Sequence, residues 1–138
     1  MTSTKSVPLF PGLQGQQYIR LTTFRKSGVG VPTPVWFTES DGKLYVFTPD
    51  GSGKVKRVRA SGRVELAPSD ARGNPVGPTA SGRARLLPPE DSQRVYRLFT
   101  RKYGLLMRLF AGLGRLRGAK AVYLEISPDS GPDTENTP

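Results

Sequence analysis

Residues 17–48 read QYIRLTTFRKSGVGVPTPVWFTESDGKLYVFT, and this stretch decides the fold class. Gln17 to Arg25 alternates apolar and polar positions and is rich in β-branched residues, which suits a strand with one face buried. Lys26-Ser27-Gly28 makes a turn, and Val31 to Glu39 forms a second strand. Pro32 and Pro34 cannot donate to a ladder, so they restrict that strand to an edge or to its own beginning. Ser40-Asp41-Gly42 is a tight-turn signal, after which Lys43 to Thr48 forms a third strand. Three strands joined by turns this short make an antiparallel meander.

Beyond Thr48 the pattern changes. Pro49 to Gly53 forms a loop, and Lys54 to Ala60 is a short helix whose Val55 and Val58 share the inner side. Arg63 to Ala67 and Ala80 to Leu87 return to strand, separated by a loop around Asp70 to Pro75. Pro88 and Pro89 introduce a helix that starts near Glu90-Asp91-Ser92, where acids complement its positive N-terminal end. Val95, Leu98, Phe99, Leu106, Leu109, Phe110 and Leu113 recur at helical spacing, which predicts packing against a barrel or a partner subunit. Gly104 interrupts the pattern, so two helices fit as well as one. Arg94, Arg97, Arg101, Arg108 and Arg115 fall on another face, and Ala121 to Ile126 closes the domain as a strand. The order lacks strict strand–helix alternation. It predicts a mostly β protein, an antiparallel barrel over residues 17–126 with a flanking helix, a loosely held arm over 1–16 and a disordered tail over 127–138.

Composition narrows the chemistry. The 138 residues contain no cysteine and no histidine, which removes thiolate nucleophiles, the commonest general base and the commonest metal ligand. An enzyme of this composition is expected to borrow its reactivity from a bound cofactor. No run is long and apolar enough to span a membrane, no export signal is visible, and a cytoplasmic protein without a membrane partner is expected. The net charge is +10, and Lys54 to Lys120 holds 16 Lys or Arg against four acids, a net of +12. Such a field favours an anionic partner.

The segment Thr48-Pro49-Asp50-Gly51-Ser52-Gly53-Lys54-Val55-Lys56-Arg57 is the most informative for function. A strand ends in a hydroxyl, a glycine-bearing loop follows, and a basic helix begins. Unpaired amides at a helix start suit a phosphate, and arginine grips phosphate through two nitrogens. The P-loop spacing is absent. From these residues alone, a solvated turn with a basic cap reads as well.

Leu21 to Arg25, Thr33-Pro34-Val35-Trp36-Phe37, Asp41 to Val46 and Thr48 to Arg59 stand in a characteristic order. Asp70 to Gly73, Gly82 to Leu87 and Arg101-Lys102-Tyr103-Gly104 follow them. Together they resemble the pyridoxamine 5′-phosphate oxidase-like superfamily, and within it the F420-dependent (deazaflavin) oxidoreductases of split β-barrel fold. The resemblance runs from about Tyr18 to Ile126. It implies a homodimer with cofactor at the subunit interface, and hydride transfer between F420 and a small electron-poor organic substrate. It implies that the ring lies along Thr33, Pro34, Val35 and Trp36, mostly against backbone. It further implies a phosphate site at Thr48, Ser52 and Lys54, with tail contacts from Lys56 and Arg57. Pyridoxamine-phosphate oxidases carry an arginine and a lysine on the second strand, where this chain has Thr-Pro-Val-Trp, so FMN is the second choice of cofactor. The proton donor is unassigned, with Tyr103 and Tyr18 as candidates. A nucleic-acid-binding barrel is the main rival, since the charge and aromatics suit it, but no RNA- or DNA-binding signature accompanies them. A barrel that binds a ligand without turnover is a third reading; heme is its weaker form, because the usual axial histidine is missing.

Overall fold

The computed structural model describes Phe10, residues 12–116 and residues 120–128. Six strands close into a barrel: β1 (Tyr18–Phe24), β2 (Gly30–Ser40), β3 (Lys43–Pro49), β4 (Arg63–Ser69), β5 (Ala80–Leu86) and β6 (Ala121–Pro128). Around the barrel they run β1-β2-β3-β6-β5-β4, and every neighbouring pair is antiparallel. Helix α1 (Gly53–Ala60) connects β3 to β4, while α2 (Ser92–Tyr103) and α3 (Leu105–Leu116) lie between β5 and β6. The mostly β, antiparallel barrel expected from the sequence is therefore present, and Gly104 does separate two helices.

Strand β2 changes partner halfway. Gly30 to Trp36 pairs with β1, whereas Phe37 to Ser40 pairs with β3. Pro32 and Pro34 thus sit where β2 has a neighbour on one side only, and their missing N–H groups remove nothing from a second ladder. The sheet is split along this half-strand. At the far end of β2, Asp41 (φ 52°) and Gly42 (φ 79°) make the two-residue turn with left-handed backbone that the right-handed twist of a hairpin favours.

Alternation along the strands serves two cores. Leu44, Val46, Leu124 and Ile126 point into the barrel with Ile19, Leu21, Phe37, Val64 and Leu66. Tyr45 and Tyr123, with the partly buried Phe47, face outward under the helices, where Val95, Phe99, Tyr103 and Met107 cover them. Strands β3 and β6 therefore carry apolar residues on both sides wherever α2 and α3 lie across them.

Two expectations need correction. Phe10 and Leu13, in the segment 1–16 read as a loose arm, are buried in the barrel core at 1% exposure each, while residues 1–9 and 11 lie outside the described residues. The Pro/Gly punctuation there marks irregular backbone and says nothing about whether side chains pack. The apolar stripe, expected to pack against the barrel or a partner subunit, moreover does not stay on the barrel past Gly104. Val95, Phe99 and Tyr103 are buried before the break, but past it Met107 is the buried position among the described side chains of α3, and Leu106, Leu109, Phe110 and Leu113 are exposed. The turn at Gly104 (φ 61°, ψ −134°) resets the helical phase, so α3 offers Met107 to the barrel in place of its leucines. Ser127 and Pro128 extend β6, and the rest of the tail lies outside the described residues.

Candidate functional site

The split in β2 lies beside the start of α1. Ser52 caps that helix, its Oγ accepting from the Val55 N–H at 3.4 Å, and its hydroxyl stands 3.1 Å from the Thr48 hydroxyl at the end of β3. Lys54 and Arg57 then reach back toward the sheet. Lys54 Nζ donates to Thr33 Oγ1 on β2 at 3.1 Å, and Arg57 Nε donates to Thr23 Oγ1 on β1 at 2.6 Å. Gly53 makes room for this: a Cβ there would lie 2.7 Å from Arg57 Nη1, so the guanidinium rests over the helix start. Four hydroxyls, two cations and the first-turn amides of α1 thus share one corner.

Its charge is uncompensated. Among the described residues no carboxylate pairs with Lys54 or Arg57. Burial lowers the Lys54 pKa and the neighbouring Arg57 lowers it further; burial and then Arg25 do the same to Arg57. Half-buried cations that repel one another are stabilised by an anion, and a phosphate supplies the charge and the acceptors these donors lack. The geometry fits the phosphate of a cofactor.

Of the positions singled out in the sequence, Thr33, Thr48, Ser52, Lys54 and Arg57 meet here. Lys56 does not. It is exposed and, among the described residues, its side chain makes no hydrogen bond or ion pair, because Val55 and Val58 turn the opposite side of α1 inward. Pro34 is exposed on the half-strand, and Val35 packs inward against the barrel core. Trp36 keeps its backbone on this half-strand, but its ring turns toward the helices. There it stacks on Tyr103 at 4.2 Å and meets the edge of Phe110 at 4.7 Å. Thr23 and Arg25 lie in the string Leu21 to Arg25 but were given no role in the site; the closure of the barrel brings them to α1.

Tyr103 is a clamp in this structure. Its hydroxyl accepts from the Phe37 N–H at 3.1 Å and lies 2.6 Å from the Gln17 carbonyl and 2.9 Å from the Phe37 carbonyl. Burial pushes its pKa up to about 12. A proton so held ties α2 to β2 and to the entry of β1, and these bonds occupy the hydroxyl considered above as a proton donor. Tyr103→Phe is expected to cost about 1–3 kcal/mol by leaving the Phe37 N–H without its acceptor, read from the urea midpoint at unchanged slope.

Next to it, Lys102 Nζ donates to the Phe37 carbonyl at 2.9 Å and sits 3.4 Å from the Phe37 ring centroid. Although the residue as a whole is exposed, desolvation of its ammonium lowers the pKa to about 8, with Glu39 opposing the shift. The folded chain releases this proton more readily than the unfolded chain, whose lysines titrate near 10.5. Lys102 therefore makes stability rise as pH increases from about 8 to about 10.5. Side-chain NMR of the lysines should show one amine titrating near 8, and its absence from the Lys102→Arg spectrum would assign it.

A cavity of about 820 Å³ opens between the ends of β3 and β6 and helices α2 and α3. Phe47, Tyr96, Phe110 and Tyr123 supply aromatic walls, and Thr48 contributes both to this lining and to the cationic corner. Its size and apolar walls are those of a small-molecule site. Among the described residues there is no cluster of metal-ligating side chains and no helix long and apolar enough to cross a membrane.

The family model described as pyridoxamine 5′-phosphate oxidase matches residues 10–128, from Phe10 to the end of β6. The chain belongs to this family. Among solved structures, this pyridoxamine 5′-phosphate oxidase family member is similar to HutZ, the heme storage protein from Vibrio cholerae. The identity is 13% and the TM-score 0.66, over 86% of this chain and 85% of that one. A FAD-binding protein from Mesorhizobium loti matches at 17% identity and TM-score 0.60, over 94% and 90% of the two chains. An F420-H2-dependent reductase matches at 16% identity and TM-score 0.59, over 80% and 94%. At such identities the likeness is one of fold. No curated protein sequence matches the chain.

Proposed function

We propose that this family member is an oxidoreductase that holds coenzyme F420 and transfers a hydride between it and a small electron-poor organic substrate. The observation that carries the reading is the corner itself, where Lys54 and Arg57, with Arg25 close enough to depress the Arg57 pKa, converge on hydroxyls with no acidic partner among the described residues. Lys54, Arg57, Ser52 and Thr48 would hold the phosphate, with the positive field of α1 behind them. The backbone of Thr33 to Trp36 would line the ring, and Val35 and Trp36 are already fixed from behind by the two cores. When bound, F420 supplies the hydride-carrying carbon, which suits a chain without histidine or cysteine. The protein's own part is to orient the ring, exclude water and position the substrate.

The apolar cavity beside Thr48 offers that substrate a wall, and the half-strand of β2, without a second neighbour among the described residues, supports a homodimer closing over the cofactor. FMN is the alternative. The absence of a cation among Thr33 to Trp36 favours F420 over it. Titrating the purified protein with F420, FMN and FAD in parallel, following ring fluorescence, tests the choice. Saturable binding of F420 without binding of FMN is expected; tighter binding of FMN would overturn it.

A further inference from the structure

We infer that α3 docks the protein on an anionic lipid surface. The sequence suggested no membrane partner because no run is long and apolar enough to span one, and the leucines of α3 read as a packing stripe, yet in this chain they lie outside. Leu105 is 76% exposed, Leu109 65%, Leu106 52%, Phe110 51% and Leu113 48%. At about 100° per residue these five occupy one sector of about 140° on the helix, next to the buried Met107. Apolar patches of this kind mark interaction sites.

Charge chooses the partner. Residues 92–120 contain eight Lys or Arg and no acid, and α3 itself carries Arg108, exposed, about 60° from Leu105 on the wheel. A second copy packing α3 on α3 about a two-fold axis would set like charges against each other, with no carboxylate in the segment to receive them. A bilayer with acidic headgroups satisfies both features: acyl chains take Leu105, Leu109 and Leu113, and headgroup phosphates take Arg108 beside them. The helix is already folded and held by Met107 and Phe110, so binding spends little conformational entropy. Phe110 also lines the 820 Å³ cavity, which places the cavity wall directly behind the docking face.

Cosedimentation of the full chain with vesicles decides the matter. Vesicles of equal parts phosphatidylcholine and phosphatidylglycerol should bind the protein, pure phosphatidylcholine should bind it at least about tenfold more weakly, and raising salt from about 0.1 M to about 0.5 M should release it. Leu109→Asp and Arg108→Glu, both on exposed side chains, should each weaken binding by about tenfold or more, leaving circular dichroism and oligomeric state unchanged. Failure of the wild type to bind acidic vesicles, equal binding to neutral ones, or Leu109→Asp variants that bind as well as wild type would overturn the inference. So would conversion of a dimer to a monomer by Leu109→Asp, which would assign this face to a second copy. None of these outcomes is read from F420 binding, which rests on Thr48, Ser52, Lys54 and Arg57.

Discussion

Replacing Lys54 and Arg57 together by alanine is expected to weaken F420 binding by at least about a hundredfold, because each forfeits a charge-assisted hydrogen bond of about 1.5–3 kcal/mol. Single replacements should lose less than half of this in logarithmic terms if each cation compensates for the other at the phosphate. The same double variant should not lose stability in the absence of cofactor. Both cations are desolvated, Arg57 depresses the Lys54 pKa, and the hydroxyls they engage, Thr33 and Thr23, can turn to water. Weaker binding at equal or higher stability is the signature of a group kept for a ligand. Equal losses in binding and stability would make the corner a structural one. Isothermal titration paired with thermal unfolding reads both quantities from one preparation.

Phe10→Ala is expected to destabilise the protein by about 3–5 kcal/mol, a large share of the roughly 5–15 kcal/mol that holds a domain of this size. Phe10 is 1% exposed and packs in the barrel core beside Leu13, Ile19 and Leu66. Truncation leaves a void among strands already locked on all sides by their neighbours, so little collapse can fill it. Urea unfolding checks the value, and Leu13→Ala should follow at about 2–5 kcal/mol. A cost under about 1 kcal/mol for Phe10 would mean that the segment before β1 is as loose as its composition suggests.

Much of the architecture could be read from residues 17–48. Period-two alternation, an Asp-Gly turn and two prolines together specify three strands and the half of β2 that has one neighbour. Part of the site was legible for a similar local reason. Thr48, Ser52 and Lys54 stand at a strand end, a helix cap and a first helical turn, and local chain geometry brings them together. Contacts made by barrel closure were not legible. Arg57 and Thr23 are 34 residues apart, and nothing local predicts that β1 will lie under α1. The burial of Phe10 and Leu13 was hidden because Pro and Gly describe the backbone and not the destination of side chains. That the leucines of α3 leave the barrel was not legible because a single glycine resets the phase of a helix, and a phase shift moves every later residue to another face.

The central claim is that the corner built by Thr48, Ser52, Lys54 and Arg57 holds the anionic tail of the cofactor, leaving the ring to the half-strand of β2. The most direct measurement is the ratio of affinities of the wild-type protein for F420 and for the same deazaflavin stripped of its phosphate and everything beyond it. At least about a hundredfold preference for the intact coenzyme, shrinking steeply as salt rises, is the predicted result. Equal affinity for the two would contradict it.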